Sequence, residues 1–90
     1  MTVRLRRHPD MRLTALAGEG VVLHLGSRRY FTVNETGLVI LGELEHPRTF
    51  DELVSAVLAE FEVERETAEE TTRAFLRQCT DAAVVLEVAE

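Results

Sequence analysis

The chain has a single cysteine, Cys79, no lysine, and no apolar run near the roughly 20 residues that a bilayer-spanning helix requires. A lone cysteine excludes an intramolecular disulfide and a cysteine-rich metal cluster, a usage that fits a reducing cytoplasm. Cys79 lies among apolar residues and reads as a small buried hydrophobe rather than a nucleophile. Met1 to Arg7 leads into no apolar segment of signal-peptide type, so the expectation is a soluble, cytoplasmic protein with no membrane partner. The absence of lysine leaves ten arginines as the whole basic complement, and no function follows from that bias.

Positive charge is scarce overall. The net charge is -6, with Arg4, Arg6, Arg7, Arg12, Arg28 and Arg29 in the first third and carboxylates crowding the second half. A nucleic-acid binder neutralises phosphates with Lys and Arg, so no nucleic-acid partner is expected. Ninety residues make one small domain, near the size at which a single core suffices without staples.

Groups that carry chemistry are equally sparse. His8, His24 and His46 are isolated, and none has the partner spacing of a metal site. His24 is expected on the exposed face of its strand. Ser27 and Ser55 sit in no nucleophile elbow, and Gly18-Glu19-Gly20 is a hairpin turn rather than a phosphate loop. Glu60, Glu62, Glu64, Glu66, Glu69 and Glu70 lack the ligand order of a calcium loop and read as a solvated helix end. No catalytic residue, metal or cofactor is expected.

What is present is a clear order of elements. Residues 1–10, Arg-rich and containing His8-Pro9, read as a flexible N-terminal arm before a domain over 11–90. Met11 to Leu16 alternates as a first strand, Val21 to Leu25 is a second, and Arg28 to Val33 returns as a third after a turn at Gly26-Ser27. Helical spacing follows in Leu38, Leu41 and Leu44, then in Leu53, Val54, Val57, Leu58 and Phe61, then in Ala68, Thr72, Phe75, Leu76, Cys79 and Ala83. Thr49 with Glu52, and Thr67 with Glu70, have capping-box spacing, so helices are expected from about Thr49 to Phe61 and from Thr67 to Ala82. Val84 to Val88 is a short apolar tail, either extending along the sheet or covering the core. The class is α+β and winged-helix-like: a three-stranded antiparallel sheet followed by three helices.

The most informative stretch is Tyr30-Phe31-Thr32-Val33-Asn34-Glu35-Thr36-Gly37, where a β-branched strand runs straight into a helix-capping Asn. Alternation puts Phe31 and Val33 beneath the helices and Tyr30 and Thr32 on the other face, although a one-residue shift of register would invert them. Arg28 and Arg29 have two readings: they deter edge-to-edge aggregation, or they steer an acidic peptide to the edge. An exposed strand edge beside helices is a place where another peptide can add by backbone hydrogen bonding.

The phrase Tyr-x-x-Val-Asn-x-Thr-Gly at residues 30–37, the Val21 to Leu25 strand, the helix start at Thr49 to Leu53, and Phe75-Leu76 followed by Cys79 and Val84-Val85 together resemble the PqqD-like family over about residues 11–88. These are the recognition elements of ribosomal peptide natural-product pathways, and the stand-alone form is most similar to members serving lasso-peptide biosynthesis. The resemblance implies non-catalytic binding of a precursor leader peptide, antiparallel to the third strand in a groove closed by the third helix, for presentation to a leader protease and a cyclase. Carried onto this chain, the contacts are Arg28, Arg29, Tyr30, Phe31, Thr32 and Val33 from the strand. From the helix they are Thr71, Phe75 and Gln78 on one flank, favoured on the family pattern, with Arg77 on the other flank in reserve. Three positions depart from that pattern: Thr71 where an acid is common, Cys79 where Leu is common, and Ala83 where Gly often precedes the final apolar pair. The same order of elements admits a rival, a winged-helix DNA-binding regulator, weakened by acidic candidate recognition helices and by strands that precede rather than follow them.

Overall fold

The junction at Asn34 organises the molecule. In a computed structural model that describes residues 2–89, strand β4 (Arg29–Val33) stops at Asn34, whose side-chain Oδ1 accepts the Gly37 N–H at 3.0 Å and starts helix α1 (Glu35–Glu43). Three strands precede it as an antiparallel meander in the order β2 (Met11–Leu16), β3 (Glu19–His24), β4. Helices α2 (Phe50–Glu60) and α3 (Arg65–Asp81) follow. The α+β class and the three-strand, three-helix order stand as the sequence implies.

The meander's register places Val22 opposite Phe31 and Gly20 opposite Val33, so the face bearing Val22 (0% exposed) and Val33 (6%) is the one the helices cover. Tyr30 is 73% exposed on the opposite face. The turns are placed differently from expectation. Ala17 and Gly18, with φ of 46° and 81°, make the two-residue β2–β3 turn, and Glu19 and Gly20 already belong to the strand. Positive φ at both turn residues matches the twist of the flanking strands. Between β3 and β4 the loop runs from Leu25 to Arg28, with Arg28 left-handed at φ 58°, so Arg28 lies in the loop and not in the strand.

The helices bury the stripes their spacing implies. Ile40 and Leu41 of α1, Leu53 and Val54 of α2, and Ala68, Thr72, Leu76 and Cys79 of α3 meet Val22, Val33, Val84 and Val85 in one core. Thr49 caps α2 as expected: its Oγ1 accepts the Glu52 N–H at 3.2 Å while its own N–H donates to Glu52 Oε1 at 2.9 Å. That second bond holds the Glu52 carboxyl below its usual value, so its share of the cap is present at neutral pH and is lost as acid protonates it. Thr67 does not cap α3. The helix starts earlier, at N-cap Glu64, whose C=O accepts the Ala68 N–H at 2.9 Å, and Thr67 falls inside its first turn.

The N-terminal segment is not a loose arm. Val3–Arg7 forms strand β1 and pairs antiparallel with the apolar tail, strand β5 (Val85–Ala89), as a second, two-stranded sheet. Leu5 bridges Arg48 through two backbone bonds of 2.7 and 3.0 Å and is 7% exposed. The Arg7 guanidinium donates from Nε to the Leu41 C=O at 2.9 Å, near the negative end of α1. His8 continues the anchorage: its N–H donates to Val84 O at 2.8 Å, its Nδ1 accepts the Asp10 N–H, and its ring lies 4.7 Å from that of His24. His24 accordingly sits half-buried on the helix-covered side, with Nδ1 accepting the Ser27 N–H, and not on the exposed face. Among the described residues no helix is long and apolar enough to cross a membrane.

Candidate functional site

Strand β4 is the edge of its sheet, hydrogen-bonded to β3 on one side, and its other side faces α3 across an open groove. The groove has two stretches that share Phe31. One, of about 370 Å³, runs between Phe31, Thr32, Val33 and Asn34 on the strand side and Phe75, Gln78 and Cys79 on α3, with Glu19 at its end. The other, of about 680 Å³, runs from Arg28, Arg29 and Tyr30 across to Asp81, Ala82 and Ala83, with His24 and Ser27 at its margin. Arg28 and Arg29 therefore stand where β4 begins, with Asp81 lining the same stretch, and Glu19 stands where the strand ends.

Local sequence explains the walls. Gly37 in the first turn of α1 lets the helix come down on both sides of the groove: a Cβ there would lie 2.8 Å from the Phe75 ring and 2.9 Å from Val33 Cβ. That close approach seats Phe75 half-buried against the core, one edge toward the groove. Beneath it Cys79 is fully buried, and burial pushes its thiol up to about 12, so at neutral pH it is packing and not a nucleophile.

The far end of α3 closes with a Schellman turn. Val84 N–H reaches back to Cys79 O and Ala83 N–H to Thr80 O, both at 3.0 Å, with Ala83 left-handed at φ 59°. This is the position where the resemblance implies that Gly is often found, and an L side chain in that region costs about 1–2 kcal/mol. Ala83→Gly is expected to stabilise the protein by about 0.5–1 kcal/mol after the unfolded-state entropy of Gly is set against it. A urea midpoint that falls instead of rising would contradict the assignment of strain there.

The structure thus gathers Arg28, Arg29, Tyr30, Phe31, Thr32, Val33, Phe75 and Gln78 along one groove. Thr71, a turn before Phe75, is exposed and outside the groove's lining, and Arg77 lies on the opposite flank of α3 with Arg73 and Thr80. Sequence reasoning missed Asn34, named only as a cap, and also Glu19, His24, Ser27, Cys79 and Asp81 to Ala83 as groove residues. Cys79 is four residues after Phe75 and Asp81 three after Gln78, so the helical wheel carried a signal for both; Glu19 and His24 depend on tertiary placement.

The family model described as coenzyme PQQ synthesis protein D (PqqD) matches residues 19–85, which span β3, β4, all three helices and the first residue of β5. The chain belongs to the PqqD family. Among solved structures, TbiB1 in complex with the TbiA(beta) leader peptide is similar to this PqqD-family chain over 94% of its length and 99% of that chain, at 29% identity with a TM-score of 0.83. A lasso peptide synthetase B1 complexed with the leader peptide shares the fold, at 24% identity and a TM-score of 0.75 over 91% of this chain and 96% of that one. No curated protein matches the sequence.

Proposed function

We propose that this PqqD-family chain binds the leader segment of a ribosomally made precursor peptide, non-catalytically, and presents it to the leader protease and cyclase of a lasso-peptide pathway. The leader adds antiparallel to β4 as a fourth strand, its main chain bonding to the open edge and its alternate side chains entering the groove against Phe75 and Gln78. The observation that carries the reading is the free edge of β4 facing α3 across an open groove, in a chain 29% identical to TbiB1, itself solved with a leader peptide. Fluorescence anisotropy with leaders encoded by neighbouring precursor genes tests it, and saturable binding is the expected result. No saturation up to high micromolar for every such leader would overturn it.

Antiparallel addition places the C-terminal part of the bound segment beside Arg28 and Arg29. Replacing both with Ala is expected to weaken an acid-bearing leader by about tenfold at low salt, since each exposed charge contributes up to about 1 kcal/mol, and to matter little at high salt. An equal loss at both salt concentrations would assign these arginines a packing role instead.

The DNA-binding reading of the same elements is disfavoured by charge. α2 and α3 together carry Asp51, Glu52, Glu60, Glu66, Glu69, Glu70 and Asp81 against three arginines, a surface that repels phosphate.

A further inference from the structure

The solvent side of α3 carries a charge pattern that helix stability does not explain. Glu66, Glu70, Arg73 and Arg77 are all exposed, and helical geometry puts them within roughly 60° of one another around the axis. The acidic pair and the basic pair each stand at i,i+4, where like charges destabilise a helix. Attraction to the helix dipole is confined to the terminal turns, so it covers Glu66 in the first turn; Glu70, Arg73 and Arg77 lie outside its reach, and the last turn has no basic residue.

Other surface charges close pairs within the chain: Arg65 meets Glu69 at 3.8 Å, and Arg48 meets both Glu43 and Glu52 at 3.9 Å. Among the described residues none of the four α3 charges does so, although Glu87 lines the same groove as Arg73 and Arg77. Arg73 is nonetheless held in place, with its guanidinium carbon 5.3 Å from the centre of the Phe50 ring, a stacking that leaves its N–H edge free for a carboxylate. The stripe is also self-complementary. Turned end for end about a point midway between Thr71 and Thr72, it sets Glu66 against Arg77 and Glu70 against Arg73. One turn further out, the same register sets Val63 against Thr80, at the wall of the groove where Val3, Phe50 and Leu76 supply apolar lining. Val63 is 40% exposed and Val3 49%, so both leave apolar surface open in a single copy.

We propose that two copies of this chain pair through antiparallel α3 helices about a twofold axis. The axis repeats each contact, giving four intermolecular ion pairs, and Val63 of each copy covers the apolar groove of the other. Phe75, Gln78 and Cys79 line the groove beside β4 on the other flank of α3, and Asp81, the acid beyond Arg77, also lines it. The dimer therefore leaves both β4 edges open, and the pairing stands whatever those edges bind.

Sedimentation equilibrium on the full chain tests this. Exposed ion pairs are individually weak, so the dimer is expected to dissociate in the range of about 10 μM to 1 mM at low salt, and to loosen about tenfold or more at 1 M salt. Glu66→Arg with Glu70→Arg makes the stripe wholly basic, and Arg73→Glu with Arg77→Glu makes it wholly acidic. Each variant alone repels its own copy and is expected to be monomeric. Mixed one to one, the two restore all four pairs and are expected to associate at least as tightly as the wild type. Both variants remain net negative, so overall charge opposes the mixed association and only the local pattern favours it. The single swaps Glu70→Arg and Arg73→Glu, also monomeric alone and complementary when mixed, repeat the test with less disturbance of the helix. A wild type that stays monomeric up to about 1 mM overturns the proposal. So does a dimer that persists in either double variant, or a failure of both mixtures to associate.

Discussion

A proline on β4 whose lost N–H pointed to the open edge removes leader capture while the protein stays folded. In an antiparallel strand the N–H and C=O of one residue point to the same side and those of the next to the other, so of Phe31 and Thr32 one bonds β3 and its neighbour faces the groove. Proline at the outward position deletes a donor that the sheet does not use, and its ring crowds the incoming strand. The expected loss is about 1–3 kcal/mol, or roughly tenfold to a hundredfold in affinity. Proline at the inward position breaks the β3–β4 ladder instead, and shows as a lowered melting temperature. Phe31→Pro and Thr32→Pro should therefore split into one folded non-binder and one destabilised protein. If the folded member of the pair binds leader as tightly as the wild type, strand addition at β4 is wrong.

Gly37→Ala tests the junction from the other side. Alanine normally gains up to about 1 kcal/mol over glycine inside a helix. Here the added Cβ would lie 2.9 Å from Val33 Cβ, which the strand backbone holds fixed, and 2.8 Å from the packed Phe75 ring. Overpacking of this kind costs about 1–3 kcal/mol, and the clash outweighs the propensity because neither neighbour has free space to retreat into except the groove itself. The expected net is a destabilisation of about 1–2 kcal/mol, which for a domain of this size lowers the melting temperature by roughly 4–8 °C per kcal/mol. Because Phe75 escapes into the groove, leader affinity should fall together with stability. A urea midpoint at or above that of the wild type would show that α1 does not depend on that close approach.

The junction shows why some of this molecule could be read from the chain and some could not. Asn34 and the Thr49–Glu52 pair act on backbone groups within three residues, so their caps were visible in residue order alone. Alternation along Tyr30 to Val33 likewise assigned the inner and outer faces of β4, because side chains of a strand must alternate. Family resemblance added the pairing of that strand with α3, although not the helix's orientation. Thr67 misled because a Thr-x-x-Glu spacing also occurs inside helices, and only the backbone bond from Ala68 to Glu64 marks where α3 begins.

By itself the sequence determined the local elements: three alternating strands, three apolar helical stripes, and the caps that punctuate them. Tertiary structure alone decided the rest. Val3-Arg4-Leu5-Arg6 alternates over only four residues, and it is fixed as a strand because Val85–Ala89, some eighty residues away, supplies its hydrogen-bond partners while Leu5 finds the core. The rotation of α3 did not follow from spacing alone: the resemblance favoured Thr71, Phe75 and Gln78 toward β4 and held Arg77, on the flank of Arg73 and Thr80, in reserve. Burial of Ala68, Thr72, Leu76 and Cys79 sets that rotation, and with it which flank meets the edge strand and which is left to another partner.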